Sequence, residues 1–530
     1  MVNITNETSQ VFQDAANLVQ SWGNAMLNTG KTLRQTLTIQ GVSLWDIIEV
    51  ELTIYKVPEA LRHNARSSSI LRAIRPYFGR AKQEAINLVK GKLSTLGCAS
   101  WPKEPAILFL GFSECFYSSV LAPVVDCVSR ETSIRTIVLR DGYPKGVQEG
   151  KDKDQYFYQH WDTEVKAYVA LLKRELNVVR KELYVRSALP AIIRNQGKSL
   201  WPLMQDTFTW FFHQRIPQLL PQIAMAKHIF EIHRPALVVS PDLADPRTRI
   251  YYLLCQKFNI PSLDIQYGLT GPDTVEYQFF NADRVAAFGQ VSREIMLAYG
   301  VPDGQITMTG SPRYDSFNCV TSNEQEKIRI RLNLPLGKRM ILFAASYYMS
   351  GFPKVKTIGT LMTEAIFAAV GQLQETCLIV KPHPVFVSQS KELRRRVGRR
   401  RNIFFADPNE DIQELIKACD AFVTFGSLST LDALINNKLT ITPSFPGWAG
   451  NDQFVESGAT VVPRSNEEIA QIFKIVASGS SDEILAQLQP ARRRFLERWV
   501  LKTDGQASHR ICNLIMEMAN LENIESRAVL

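Results

Sequence analysis

The chain has 530 residues, a formal net charge of +9, 45% hydrophobic residues and 21% charged residues. That length is too great for one hydrophobic core and predicts two large domains plus helical extensions. The ordinary globular balance excludes a disordered or low-complexity chain.

Residues 1–100 read mostly as helices, with Ser43 as a candidate cap for a helix that opens on Leu44-Trp45-Asp46. The N-terminus lacks the basic start and apolar core of a signal peptide. No apolar stretch reaches the ~18–20 residues that span a bilayer. The expectation is a cytoplasmic protein with, at most, peripheral contact at the inner membrane.

From residue 101 the pattern changes. The apolar run 106–110 ends in Gly111, a helical pattern covers 118–130, and 134–139 reads as a second strand, which together make the unit of a parallel sheet. Long helical stretches follow over 155–185 and 205–233. In the latter, the aromatic segment Phe208 to His213 is expected to be buried rather than to touch a membrane. Strands are then expected at 236–240, 262–266, 284–288 and 306–309. A second series begins after residue 337, with strands at 340–345, 377–381, 403–406, 421–424 and 439–442 separated by helices. Strands without polar alternation suit a sheet covered on both faces. The fold class predicted is α/β: two Rossmann-like, doubly wound domains facing across a cleft, at 101–330 and 331–485. A helical region at 1–100 precedes them, and helices at 486–530 cross back.

Part of the positive charge lies in one run, Arg394, Arg395, Arg396, Arg399, Arg400 and Arg401. It reads as a solvated helix face, with anionic lipid or a phosphorylated acceptor as the other reading. It lacks the interleaved aromatics of a nucleic-acid surface, so no nucleic-acid partner is expected. The eight cysteines form no C-x-x-C pair. That argues for a reducing compartment and against a disulfide framework or a zinc site. No metal and no other cofactor is expected.

In open α/β sheets ligands bind beyond the carboxyl ends of the strands, so the loops there are the candidate sites. Lys381, His383 and Pro384 follow one strand, and two prolines around the imidazole stiffen a loop suited to a phosphate. Gly426, Ser427, Ser429 and Thr430 lie between a strand and a helix. There, free backbone N–H groups and the helix dipole attract anions, although Ser and Thr also cap helices routinely. Asp432, one turn inside, is either a ribose acceptor or a surface carboxylate. Gly310, Ser311 and Arg313 form a turn at the junction, where Arg313 reaches a phosphate or pairs with Asp315. In the first half, Asp242 or Asp245 can supply a general base, with Glu114 as a further candidate. Gln266, Tyr267 and Gly268 are placed to hold a sugar.

These residues together resemble the GT-B glycosyltransferases of bacterial surface polysaccharides. The likeness is to the group that includes capsule-synthesis transferases, Kdo and sialic acid transferases, and CDP-glycerol glycerophosphotransferases. It runs in order through 236–242, 260–268, Phe288-Gly289, 299–302, 310–315, 381–384, 427–430 and Asp504-Gly505, and covers roughly residues 100–520. It implies metal-independent transfer of a sugar or polyol phosphate from a nucleotide-activated donor to a polysaccharide or lipid-linked acceptor; the His383-Pro384 motif favours a cytidine donor, CMP- or CDP-linked, with uridine left open. His383 and the Ser/Thr loop would stabilise the departing phosphate. The family often carries a histidine where Tyr267 stands, and tyrosine is a poor base, with an ordinary pKa near 10. Two rivals share the architecture: a nucleotide-sugar 2-epimerase and a non-catalytic nucleotide-sugar binding protein.

Overall fold

The computed structural model describes residues 7–62, 106–140, 154–156, 162–185, 188–268, 270, 274–315, 322–345, 353–383, 387–398, 400–448 and 452–519. The chain divides into two compact units, Met1–Arg313 with Gln506–Leu530, and Tyr314–Gly505.

Among the described residues, the main sheet of the first unit has seven strands: β1 (Ala106–Gly111), β2 (Arg135–Arg140), β3 (Asp154–Tyr156), β4 (Leu237–Ser240), β5 (Ser262–Ile265), β6 (Arg284–Ala287) and β7 (Ile306–Met308). They lie in the order β7-β6-β5-β4-β1-β2-β3, and every neighbouring pair is parallel. The second unit holds β8 (Arg339–Ala345), β9 (Thr376–Pro382), β10 (Ile403–Phe405), β11 (Ala421–Thr424) and β12 (Leu439–Ile441), parallel throughout in the order β10-β9-β8-β11-β12. Both sheets are doubly wound. The strand order reverses beside the first strand of each, between β1 and β4 and between β8 and β11. Strand β3 departs from the sequence expectation. Its three residues carry too short a pattern to register.

The helices of the first unit include α1 (Leu44–Glu51), α2 (Ala122–Glu131) and α3 (Pro246–Phe258). In the second unit α4 (Ser429–Ile435) follows β11, and the C-terminal helix α5 (Ala507–Ala519) returns to the first unit. Ser43 caps α1, accepting from the backbone N–H of Asp46 at 3.2 Å. One core joins Ile107 and Phe109 of β1, Val239 of β4 and Leu263 of β5 to Val124 and Val128 of α2 and to Ile511 and Ile515 of α5. Phe208, Phe211 and Phe212 are buried, as the aromatic segment's composition suggested. Of the arginine run, Arg396 pairs with Glu364 and Glu392, Arg394 lies over the Phe405 ring, and Arg400 donates to the carbonyls of Arg396 and Val397. Arg399 lies outside the described residues.

The N-terminal helices are tied to the first sheet by one buried charge. Arg249 on α3 is 1% exposed, and its guanidinium donates to Glu49 Oε1 at 2.7 Å, to the Phe279 carbonyl at 2.9 Å and to the Asp46 carbonyl. Arg34 supplies a second cation to Glu49 at 2.9 Å. Both charges of the Arg249–Glu49 pair therefore meet further partners, which is the condition for burying an ion pair. Replacing Arg249 by Met leaves the Glu49 carboxylate short of its main partner. Urea unfolding of Arg249→Met is expected to show a loss of about 3–5 kcal/mol. Glu49→Gln with Arg249→Met together should lose less than the two single changes summed.

Candidate functional site

In the first unit the chain leaves β4 through Ser240, Pro241 and Asp242, at the reversal in strand order beside β1. The two aspartates of this loop have different situations. Asp245 caps α3: its Oδ1 accepts from the Arg247 backbone N–H at 2.8 Å, and the Arg247 guanidinium returns to the same carboxylate, Nε at 3.0 Å and Nη2 at 2.5 Å. With both oxygens held by a cation, Asp245 is a structural cap and does not serve as the base. The expectation for it is corrected on that ground. Asp242 accepts an N–H from Ala244 at 3.1 Å. Burial, and then the nearby Asp245 charge, push its carboxyl from 3.8 up to about 7. A base whose pKa lies near the working pH is well matched to proton transfer.

Asp242 is not alone at this edge. The Tyr267 phenol, after β5, is pushed well above 10 by burial and then by Asp242, Glu276, Tyr55 and Asp264. It stays neutral and can donate but not abstract, and its ring packs on Phe116 with centroids 4.1 Å apart. Asp264, within β5, is buried and raised well above its ordinary value by the same desolvation, with Tyr252 Oη at 3.2 Å from its Oδ1. Sequence reasoning missed Asp264, Glu276 and Tyr55. A charged residue inside a strand covered on both faces was a signal for Asp264. Nothing local in the sequence marks the other two.

Two further expectations for this edge are corrected. The Gln266 amide is fully used inside the protein, donating to the Gly268 carbonyl at 2.7 Å and to Ser292 Oγ at 2.9 Å and accepting from the Phe288 N–H at 2.7 Å. It orders the loop and has no group left for a sugar. Glu114 is 81% exposed on its side chain and pairs with Arg140 at 3.1 Å, so it lacks the desolvation that makes a base. Among the described residues, nothing lies within 4 Å of where a Cβ on Gly268 would stand.

In the second unit, β9 and β11 flank β8, so the loops after them open on the same carboxyl edge, about 10 Å apart at two strand spacings. Lys381 is buried, and its ammonium donates to the Pro408 carbonyl at 2.6 Å. It therefore acts first as a clamp on that loop. His383 is exposed, and partial burial of the ring and the Lys381 charge hold its imidazole below the ordinary 6.5. At neutral pH it offers one neutral N–H. Pro384 lies outside the described residues.

Across the edge, Gly426 adopts φ +113°, a region that L side chains rarely occupy, and turns the chain from β11 into α4. Ser427 Oγ accepts from Ser429 Oγ at 2.8 Å and from the Ser429 N–H at 3.3 Å. Thr430 is fully buried, and its hydroxyl finds no partner among the described residues. Asp432 is also fully buried, so it is neither the surface carboxylate nor the accessible ribose acceptor that the sequence left open. Gly310 turns at φ +78° after β7, and Ser311 is buried with its hydroxyl unpartnered among the described residues. Arg313 ends the first unit, partly buried.

Residues 269–429 match the family described as CDP-Glycerol:Poly(glycerophosphate) glycerophosphotransferase. The match takes in Arg313, Lys381, His383 and Ser427 and stops short of Asp242. No curated protein matches the sequence. Among solved structures, an S. aureus MnaA–UDP co-structure is similar at 17% identity over 79% of this chain and 97% of that one, with a TM-score of 0.49. A variant of the wall teichoic acid polymerase TagF is similar at 14% identity over 88% of this chain and 100% of that one, also at 0.49. A UDP-N-acetylglucosamine 2-epimerase is similar at 15% identity over 78% and 96%, at 0.46. The two doubly wound sheets and the family match over 269–429 make this chain similar to the nucleotide-donor glycosyltransferases of the GT-B type. The matched segment carries the motifs at 310–313, 381–383 and 426–429 through which the sequence resembles that group.

Asp242 gives the site a pH signature. Its folded-state pKa lies above its unfolded one, so the native state holds a proton that the unfolded chain releases. Stability attached to this group is present below pH ~4 and lost as pH rises toward 7. Turnover should rise through an apparent pKa of about 7. Asp242→Asn is expected to abolish that rising limb and to lower kcat by about 100-fold or more. Urea titrations from pH 4 to 7 should show a flatter stability profile for the variant. Asp245→Ala, by contrast, should cost about 1 kcal/mol of stability with much of the activity retained.

Proposed function

We propose that the chain transfers a sugar or polyol phosphate from a CMP- or CDP-linked donor to a surface-polysaccharide or lipid-linked acceptor. It would act in the cytoplasm, with peripheral contact at the inner membrane. The observation that carries the reading is the Asp242 carboxyl, raised to about 7 at the carboxyl edge of the first sheet. The cytidine donor is supported by the family description matched over 269–429.

The chemistry divides between the units. An acceptor hydroxyl gives its proton to Asp242 as its oxygen bonds to the transferred group, and the bond from that group to the nucleotide phosphate breaks. Tyr267 donates to the acceptor. The departing nucleotide phosphate takes hydrogen bonds from the neutral His383 N–H and from Ser427 and the backbone before α4. Such donors, fixed before the reaction begins, stabilise negative charge where it develops. Lys381, Ser429 and Thr430 hold these groups in place. No metal takes part in this transfer.

Thermal melts with CMP-, CDP-, UDP- and GDP-linked donors test the reading. A donor at 100 times its dissociation constant adds about 2.7 kcal/mol of stability. A cytidine-linked donor should stabilise the wild type, and His383→Ala should lose that stabilisation while folding normally. Transfer rates should be equal with and without added magnesium. Conversion of a uridine-linked sugar with no acceptor present would instead identify an epimerase.

A further inference from the structure

Two helices of the first unit bring Cys127, Glu131 and His509 to one point, with Cys512 in the same core. Helix α2 carries Cys127 and Glu131, four residues apart, and α5 carries His509 and Cys512, three apart, so each pair shares a helix face. The faces meet. Glu131 Oε2 lies 2.6 Å from His509 Nδ1, and Glu131 Oε1 lies 3.2 Å from Cys127 Sγ. Cys127 and Cys512 are both buried in the core that α2 and α5 share. The donor atoms of Cys127, Glu131 and His509 all lie within 4.8 Å of one another.

We propose that Cys127, Glu131, His509 and Cys512 form a structural zinc site that staples the C-terminal helix to the first sheet. Two thiolates, an imidazole and a carboxylate make a closed four-ligand set of the kind that zinc takes. With zinc–ligand bonds of about 2.0–2.3 Å, tetrahedral donor atoms stand ~3.3–3.8 Å apart, so Cys127, Glu131 and His509 close on an ion by shifts on the order of 1 Å, and Cys512 turns in from outside that group as the fourth ligand. The thiols are buried, while the imidazole and carboxylate are 48% and 32% exposed, which gives the ion a way in. Burial and the Glu131 carboxylate hold the Cys127 thiol up to about 12, and a bound dication reverses that balance. Arg130, 3.7 Å from Glu131, offsets the excess negative charge of the liganded set.

The position favours a structural role. Glu131 ends α2 just before β2 begins at Arg135, which puts the cluster at the amino edge of the sheet, opposite the edge that carries Asp242. The residues joined are far apart in sequence, 378 positions between Glu131 and His509, so a cross-link here restricts a very long stretch of unfolded chain. No C-x-x-C spacing announces the site because its halves come from distant parts of the chain.

The full chain, reduced and stripped of metal, is titrated with Zn2+ against a chromophoric chelator and with Co2+. One equivalent of zinc should bind and raise the melting temperature. Cobalt should give thiolate charge-transfer bands and the strong visible absorption of four-coordinate Co2+. His509→Ala should weaken binding by more than the roughly 10–100-fold that follows loss of an outer-shell partner. Cys127→Ser with Cys512→Ser should remove the charge-transfer bands. If that double variant does not fold, the wild-type cobalt bands decide, since they report thiolate ligation directly. Absence of stoichiometric zinc and of those bands would make the cluster a hydrogen-bonded contact only and overturn the proposal. So would binding that survives loss of both thiols but not Asp162→Ala, a residue of the separate group Asp162, Glu164 and His228. Donor melts with His509→Ala should match the wild type, which separates this inference from the transferase reading.

Discussion

Parallel strands deliver every chain exit to one edge of a sheet, and that constraint organises both units. Where the strand order reverses, the crossovers on either side leave to opposite faces, and the loops after those strands stand apart. In the first unit Asp242 emerges at this place. In the second it is the turn at Gly426, with His383 one strand beyond β8. The chemistry is placed by topology before any side chain is considered.

Environment then decides what each residue does. Asp242, Asp245 and Glu114 are all carboxylates near the same edge. Asp245 has a helix N-terminus and a guanidinium on it, and Glu114 has water and Arg140. Asp242 is half-buried with backbone N–H groups for company, and its carboxyl is driven up to about 7. The Tyr267 phenol is pushed the wrong way for a base, and remains a donor. Of the two groups, only the carboxyl is shifted in the direction that suits a base.

The same contrast runs through the second unit. Lys381 and His383 are two residues apart on one strand exit. The ammonium turns inward to a carbonyl, which leaves the imidazole exposed on the edge that also carries the Gly426–Ser427 turn. A lysine that clamps the loop and keeps the ring neutral helps the ring as a hydrogen-bond donor without adding a second cation at the edge.

The sequence by itself determined the strands of the two main sheets, β3 apart. Runs such as Leu237–Ser240 and Ala421–Thr424 are apolar on both faces, and only a sheet covered on both sides can bury them. It also placed Asp242, His383 and Ser427 on loops after strands, because a break in an apolar run is local information. Tertiary structure alone decided which of those groups were available. Gln266 and Asp245 are consumed by partners that fold onto them, and Asp432 is sealed inside the second unit. Glu276 and Tyr55 reach the Asp242 edge from distant segments, as His509 reaches Glu131. Desolvation and long-range pairing depend on what surrounds a residue in space, and no window of sequence contains that.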